Sequence, residues 1–242
     1  EEVTVEESDL RAPAKVHRRE QLAVVQLWRK ERIEREGEVL LLPRKGRPDT
    51  VTIGRGEGLW PWVRQRPGRH EPRGPLKHPK VSRRQLELRR VDQSSVEVAL
   101  TGRGALLDPS GEPTKRCTVR LGETFGLEGR ALFLLTLRPA DMPTLAHFPL
   151  AAWPAFGHPD KLGIVGESEE TWRLRDEIAR LASRDLHTLI TGPSGVGKEL
   201  AARGLHALSP RSEGPWLGLN AAALPESLIS AELFGNRRGY PH

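Results

Sequence analysis

The sequence predicts two folds in series: an all-β sandwich over residues 21–138, then the N-terminal part of an α/β domain over residues 162–242. Three observations predict this. Short apolar runs recur between turn signals in the first half, with no long helical period. After Lys161 the apolar residues move to helical spacing and alternate with short strand-like runs, as in a layered domain with a parallel sheet. Between one such run and one such helix stand Gly192, Pro193, Ser194, Gly195, Val196, Gly197, Lys198 and Glu199, a glycine loop suited to phosphate.

Residues 1–20 show no period and read as a tail. Strands are expected at 22–27, 39–42, 51–53, 86–88, 96–100, 118–121 and 131–137. The Pro-, Gly- and Arg-rich stretch from Arg55 to Ser82 reads as one long loop. Residues 139–161 turn to Pro and Ala and read as an interdomain linker, with Phe148, Trp153 and Phe156 available for docking. Leu174, Ile178, Leu181 and Ala182 predict a helix, and 187–191 a strand. Leu200, Ala201, Gly204, Leu205 and Leu208 predict a second helix. Residues 216–220 predict a second strand, with a further helix after Pro225.

Composition narrows the function classes. A chain of 242 residues has room for two modest domains, each with its own core. Cys117 is the single cysteine, so no intrachain disulfide or cysteine-based metal site forms. The eight histidines lack paired ligand spacing, so no metal site is expected. The acidic start lacks a secretory layout, and no apolar run nears the roughly 20 residues of a membrane helix. A reducing cytoplasm is the expected location, with no membrane partner. The net charge is +6, and basic residues crowd the stretch from Arg64 to Arg90. Such a stretch suits nucleic acid or phosphorylated protein, and a solvated loop equally well. Trp60 and Trp62 beside these arginines could stack bases.

In the glycine loop, residues without Cβ let the backbone wrap an anion closely. The exposed amides and the start of the following helix then face the phosphates, and Lys198 reaches the outer ones. Glu199 stands where Ser or Thr usually supplies a magnesium ligand.

Gly163-Ile-Val-Gly-Glu-Ser168, the loop GPSGVGKE, HALSPRS (206–212), LNAAALPESL (219–228) and AELFG (231–235) together resemble the central domain of sigma-54-dependent transcription activators. That family carries Glu after the loop lysine. The resemblance implies an AAA+ fold, ATP as ligand, ring oligomers and remodelling of sigma-54 RNA polymerase, with magnesium expected only in a complete domain. Asn220 matches the family's nucleotide-sensing asparagine; a strand-end turn residue is the alternative role. The family's metal-binding acid and catalytic glutamate end a later apolar strand, and none is found up to His242. The chain is therefore expected to stop inside this domain and to bind ATP without hydrolysing it. Asp176 and Glu177 sit on a helix's polar face and are not substitutes. At the family's polymerase-touching loop, Tyr240 and Pro241 follow Gly239, so no productive sigma-54 contact is expected.

In the β half, Ile53-Gly54-Arg55, Val81-Ser82-Arg83-Arg84-Gln85 and Thr118–Phe125 resemble forkhead-associated (FHA) domains. This resemblance implies a β-sandwich that binds phosphothreonine peptides through loops at one end. Arg55 and Ser82 match its phosphate-contacting positions, with Arg83 beside them; guanidinium and hydroxyl donors suit a dianion. Gln85 replaces the family's buried histidine, and Gly102-Arg103-Gly104 replaces a peptide-contacting asparagine. Arg103 cannot accept a hydrogen bond as that asparagine does.

The function expected is a sigma-54-dependent regulator with an FHA-like phosphoprotein-sensing domain and an ATP-binding AAA+ domain. The alternative is a non-enzymatic phosphothreonine-dependent adaptor with a decayed ATPase fold; a basic nucleic-acid binder is a further rival. No helix-turn-helix is visible, so direct DNA contact by this chain is not expected.

Overall fold

The structure, a computed structural model, describes residues 20–30, 33–43, 50–220 and 235. Its strands are Glu20–Arg29 (β1), Val39–Leu41 (β2), Thr50–Ile53 (β3), Trp62–Arg66 (β4), Arg69–Arg73 (β5), Leu86–Arg90 (β6), Ser95–Leu100 (β7), Leu106–Leu107 (β8), Pro113–Thr114 (β9), Arg116–Arg120 (β10), Thr124–Leu127 (β11) and Ala131–Pro139 (β12). An eight-stranded sheet runs β5-β4-β2-β1-β12-β11-β8-β9, and a four-stranded sheet runs β10-β7-β6-β3. Every pairing is antiparallel.

Alternation decides which residues enter the core. In β6 and β7, Leu86, Leu88, Val96 and Val98 are buried, while Glu87, Arg89 and Glu97 lie on the outer face. There Glu97 pairs with both Arg89 and Arg116, each at 3.3 Å. The inner face of the larger sheet contributes Leu22, Val24, Phe125, Phe133 and Leu135. Trp62 stacks on Phe133 with ring centroids 5.8 Å apart. β1 pairs with β12 along its whole length, with a bulge between Gln26 and Trp28.

All of the strands expected in residues 21–138 are present, but the expected long loop is not one loop. Residues 62–73 form the hairpin β4–β5, closed by Pro67 and Gly68, with Gly68 at φ +68°. Its arginines obscure it in the sequence. They are tolerated because acids from other segments neutralise them: Glu38 lies 3.5 Å from Arg64 and Glu167 lies 3.1 Å from Arg66. Trp62 is 1% exposed, so it cannot stack a base as expected. The Trp60 indole donates to the Leu41 carbonyl at 2.7 Å and packs against the core.

After Lys161 the described elements are two helices, Glu169–Ala182 (α1) and Lys198–Leu208 (α2). Ser168 caps α1 by accepting from the Thr171 amide at 3.2 Å, and Glu169 and Glu170 follow in the first turn, where the helix dipole favours acids. Ile178 of α1 packs on Ala201 of α2, with Ile164 closing the cluster. The strands expected at 187–191 and 216–220 do not form. A strand exists by pairing, and all strand pairing among the described residues belongs to the sandwich. Leu189 and Leu217 accordingly stand exposed at 88% and 75%. The helix expected after Pro225 falls outside the described residues, as do Gly239, Tyr240 and Pro241. Among the described residues no helix is long and apolar enough to cross a membrane.

The stretch 139–161 packs against both units. Met142 and Phe148 form a cluster with Trp172 of α1, and the Trp153 ring lies 4.9 Å from that of Trp172. Asp176 fastens it by accepting from the amides of His147 (2.7 Å) and Phe148 (2.9 Å). Burial pushes the Asp176 carboxyl up, but hydrogen bonds from Phe148, His147 and Ala146 outweigh it, and the group is held below its usual range.

Candidate functional site

The glycine loop lies directly before α2. Gly197 is the helix N-cap at φ +93°, a conformation that a side chain strongly disfavours. Lys198 is therefore the first helical residue, at the end where unpaired amides favour an anion. Residues 192–196 are exposed, so the loop opens to solvent. The Lys198 ammonium folds back over it, donating to the carbonyls of Gly192 (3.0 Å) and Pro193 (2.7 Å). An incoming phosphate offers the same ammonium a charged acceptor, which binds more strongly than a neutral carbonyl. The residues present thus fit a nucleotide's phosphates. Glu199 instead pairs with Arg203 one turn along, at 2.9 Å. Asn220 is exposed on the separate stretch beyond Trp216. Trp216 itself rests on α2, 5.5 Å from the His206 ring.

At one end of the sandwich, three loops are laced together through backbone groups. The Arg55 amide donates to the Ser82 carbonyl and the Gly56 amide to the Arg83 carbonyl, both at 3.0 Å. A Cβ on Gly54 would meet the Arg83 carbonyl oxygen at 2.2 Å, so only glycine allows this approach. The Arg103 amide donates to Ser82 Oγ at 3.1 Å, which leaves the Ser82 hydroxyl hydrogen to donate elsewhere. Arg55, Ser82 and Arg83 are thereby brought together, with the arginines exposed.

Gln85 organises this end. It is fully buried; its Oε1 accepts from the Ser82 amide at 2.7 Å and its Nε2 donates to the Arg103 carbonyl at 2.9 Å. One amide side chain both accepts from one loop and donates to the next.

A third constellation was not expected from the sequence. The buried Glu167 carboxylate accepts from Arg66 Nη2 of β4 (3.1 Å), the Gly157 amide (2.9 Å) and Trp172 Nε1 of α1 (3.0 Å). Arg66 also donates to the Pro154 carbonyl at 2.9 Å and faces the Phe156 and Trp172 rings at 5.5 and 5.7 Å. Nearby, Asp160 and Arg175 form a buried pair at 2.7 Å; the remaining Arg175 donors go to the carbonyls of Gly166 and Ile164. Sandwich, linker and α1 thus share one buried ionic junction. In the sequence, Glu167 appeared only within the Gly-Glu-Ser motif.

Parts of the chain are similar to known proteins. Residues 164–240 match the family described as the sigma-54 interaction domain. The transcriptional regulatory protein ZraR of Salmonella typhimurium is 51% identical over 79 residues, covering 33% of this chain and 18% of that protein. The DNA-binding transcriptional regulator NtrC of Rhizobium meliloti is 38% identical over 119 residues, covering 49% of this chain and 22% of that protein. The chain thus spans about a fifth of the length of these relatives. Among solved structures, the FHA domain of CT664 from Chlamydia trachomatis aligns at 14% identity and TM-score 0.34, over 48% of this chain and 96% of that one. A structure from an analysis of phosphothreonine-dependent FHA domain interactions aligns at 19% identity and TM-score 0.34, over 49% and 97%.

Proposed function

We propose that this chain is the sensing and nucleotide-binding portion of a cytoplasmic sigma-54-dependent transcription regulator. The observation that carries the reading is the glycine loop within the residues that match the sigma-54 interaction domain, with Lys198 at the start of α2 and its ammonium donating, among the described residues, to two neutral carbonyls. ATP is the proposed ligand: bound there, it supplies the phosphoanhydride whose cleavage drives such regulators. The chain's own part is to bind. The amides of residues 195–198 meet the phosphates, Lys198 exchanges its two carbonyls for phosphate oxygens, and Asn220 monitors the nucleotide. In an intact regulator the partner would be sigma-54 RNA polymerase, with copies of the chain assembling into a ring.

The sandwich is proposed to sense a phosphothreonine-containing protein, with Arg55, the free donor of Ser82 and Arg83 meeting the phosphate. The Glu167 junction would then tie the sensing unit to the nucleotide unit.

Titration calorimetry of the 242-residue chain with ADP and ATP tests the nucleotide reading. Binding is expected, and Lys198→Ala should weaken it; equal affinity of the two proteins would sink the assignment. For the phosphate reading, a phosphothreonine peptide library should yield binders that fail on dephosphorylation and on Arg55→Ala.

A further inference from the structure

We infer that the β4–β5 hairpin couples the two proposed sites, so that phosphopeptide on the Arg55 and Ser82 loops and nucleotide on the glycine loop each raise the chain's affinity for the other. This rests on the phosphothreonine and nucleotide readings together. In the chain the hairpin lies between Arg55 and Ser82, and both of its ends return to those loops. The Leu76 amide donates to the Gly54 carbonyl at 2.8 Å, and the Arg55 amide to the Ser82 carbonyl at 3.0 Å. A peptide seated on Arg55 and Ser82 therefore orders both ends of the hairpin. Its middle is turned to the following unit. Gln65 and Arg66 are 1% and 5% exposed, although β4 and β5 lie at the edge of the sheet. An edge hairpin ordinarily leaves such side chains in water. Here Gln65 Nε2 donates to the Pro139 carbonyl at 2.6 Å, the Gly68 amide to the Met142 carbonyl at 3.1 Å, and Arg66 to Glu167 at 3.1 Å.

Glu167 ends a short strap, residues 160–167, that rests on α2. Asp160 and Arg175 stiffen the strap. Asp160 Oδ1 accepts from the amides of Leu162 (2.8 Å) and Ile164 (2.9 Å), and Arg175 donates to the carbonyls of Ile164 (2.7 Å) and Gly166 (2.8 Å). The strap meets the first turns of α2. A Cβ on Gly204 would lie 3.1 Å from Leu162 Cδ1, and one on Gly163 would lie 3.5 Å from Leu200 Cδ2. The other methyl of Leu200, Cδ1, would lie 3.7 Å from a Cβ on Gly197, the glycine that caps α2. One leucine thus backs both the glycine loop and the strap. Nucleotide that orders the start of α2 also fixes the strap, and peptide that orders the hairpin also fixes Arg66. Each ligand then meets a chain whose shared segment is already ordered, which is positive coupling without a large movement.

The test uses the 242-residue chain, ADP and a phosphothreonine peptide selected from the library. Titration calorimetry should show ADP binding about fivefold tighter with peptide saturating, and peptide binding tighter by the same factor with ADP saturating. Replacing Arg66 and Glu167 together by Leu removes the hydrogen bond from β4 to the strap but leaves no stranded charge, so the chain should stay folded. Neither residue touches a proposed ligand. Each ligand alone should bind this variant within about twofold of native, and the coupling should fall below about twofold. Hydrogen exchange on the native chain gives a second readout: peptide should slow exchange at the amides of 162–167, and ADP at those of 62–68. Independent binding of the two ligands by the native chain, mutual weakening, or coupling that survives in the leucine pair overturns the inference alone. Were the leucine pair not to fold, unchanged exchange in both segments would overturn it as surely. If either ligand fails to bind the native chain, the corresponding reading falls and the inference with it.

Discussion

Replacing Glu167 by Ala should loosen the join between the sandwich and α1. The carboxylate is 5% exposed and its partner Arg66 6% exposed, so removing it strands a cation away from water. It also leaves the Gly157 amide and the Trp172 indole N–H without their acceptor. Breaking a buried pair by deleting one partner costs about 3–5 kcal/mol. Arg66 keeps the Pro154 carbonyl and the faces of Phe156 and Trp172, which points to the lower end, about 3 kcal/mol. For a chain of this size the melting temperature should fall by about 6–12 °C. Heat and urea melts should be followed by far-UV circular dichroism, which reports mainly on the strands, and by tryptophan fluorescence, to which Trp153 and Trp172 contribute at the junction. The fluorescence should change first. Replacing Arg66 and Glu167 together by Leu should recover much of the loss, since an apolar pair leaves no stranded charge. A Glu167→Ala protein within about 0.5 kcal/mol of native, the range of ordinary surface substitutions, would refute this account.

Gln85→Ala should cost about 1–3 kcal/mol, because the Ser82 amide loses its acceptor inside the fold, and should also weaken any phosphopeptide bound at Arg55; an unchanged melt would count against the bridging role. Burial, with the charges of Asp108 and Glu123, pushes the Cys117 thiol up to about 11, so iodoacetamide should react slowly with the folded chain at pH 8 and quickly after urea unfolding. Because the unfolded thiol ionises first, this group's contribution to stability should fall between its ordinary value of 9.0 and about 11; rapid alkylation of the folded chain at pH 8 would contradict both statements. The 242-residue chain should bind ATP without turnover, since Asp176 is committed to the amides of His147 and Phe148 and Glu177 to Arg180; phosphate release that disappears in Lys198→Ala would show otherwise.

The legible parts were those set by neighbours in sequence. Alternation in 96–100 and 131–137 reports a strand whatever lies opposite, and the loop from Gly192 to Lys198 is read from glycine spacing alone. What escaped depended on distant partners. The β4–β5 hairpin hid behind Arg64 and Arg66, whose neutralising acids Glu38 and Glu167 lie on other segments. Residues 187–191 show the reverse failure: their apolar pattern suits a strand, yet no ladder partner meets them among the described residues. At the sandwich loops the residue types were readable but their linkage was not. That Gln85 bridges two loops, and that Arg103 has no backbone group to spare, required the hydrogen bonds themselves.

The ionic junction also bears on how such a chain can be recombined. Units joined by a slack tether can be exchanged between proteins at will, because each brings its own complete core. Here the sandwich contributes a buried cation whose counter-charge belongs to the following unit, and the Trp172 indole draws on the same carboxylate. A sandwich grafted ahead of a foreign nucleotide unit with no acid at that point would inherit an uncompensated charge. A nucleotide unit transplanted alone would expose Trp172 and the Glu167 carboxylate together. The heritable module is therefore the sandwich together with both helices, and a viable chimera should cut outside residues 20–208.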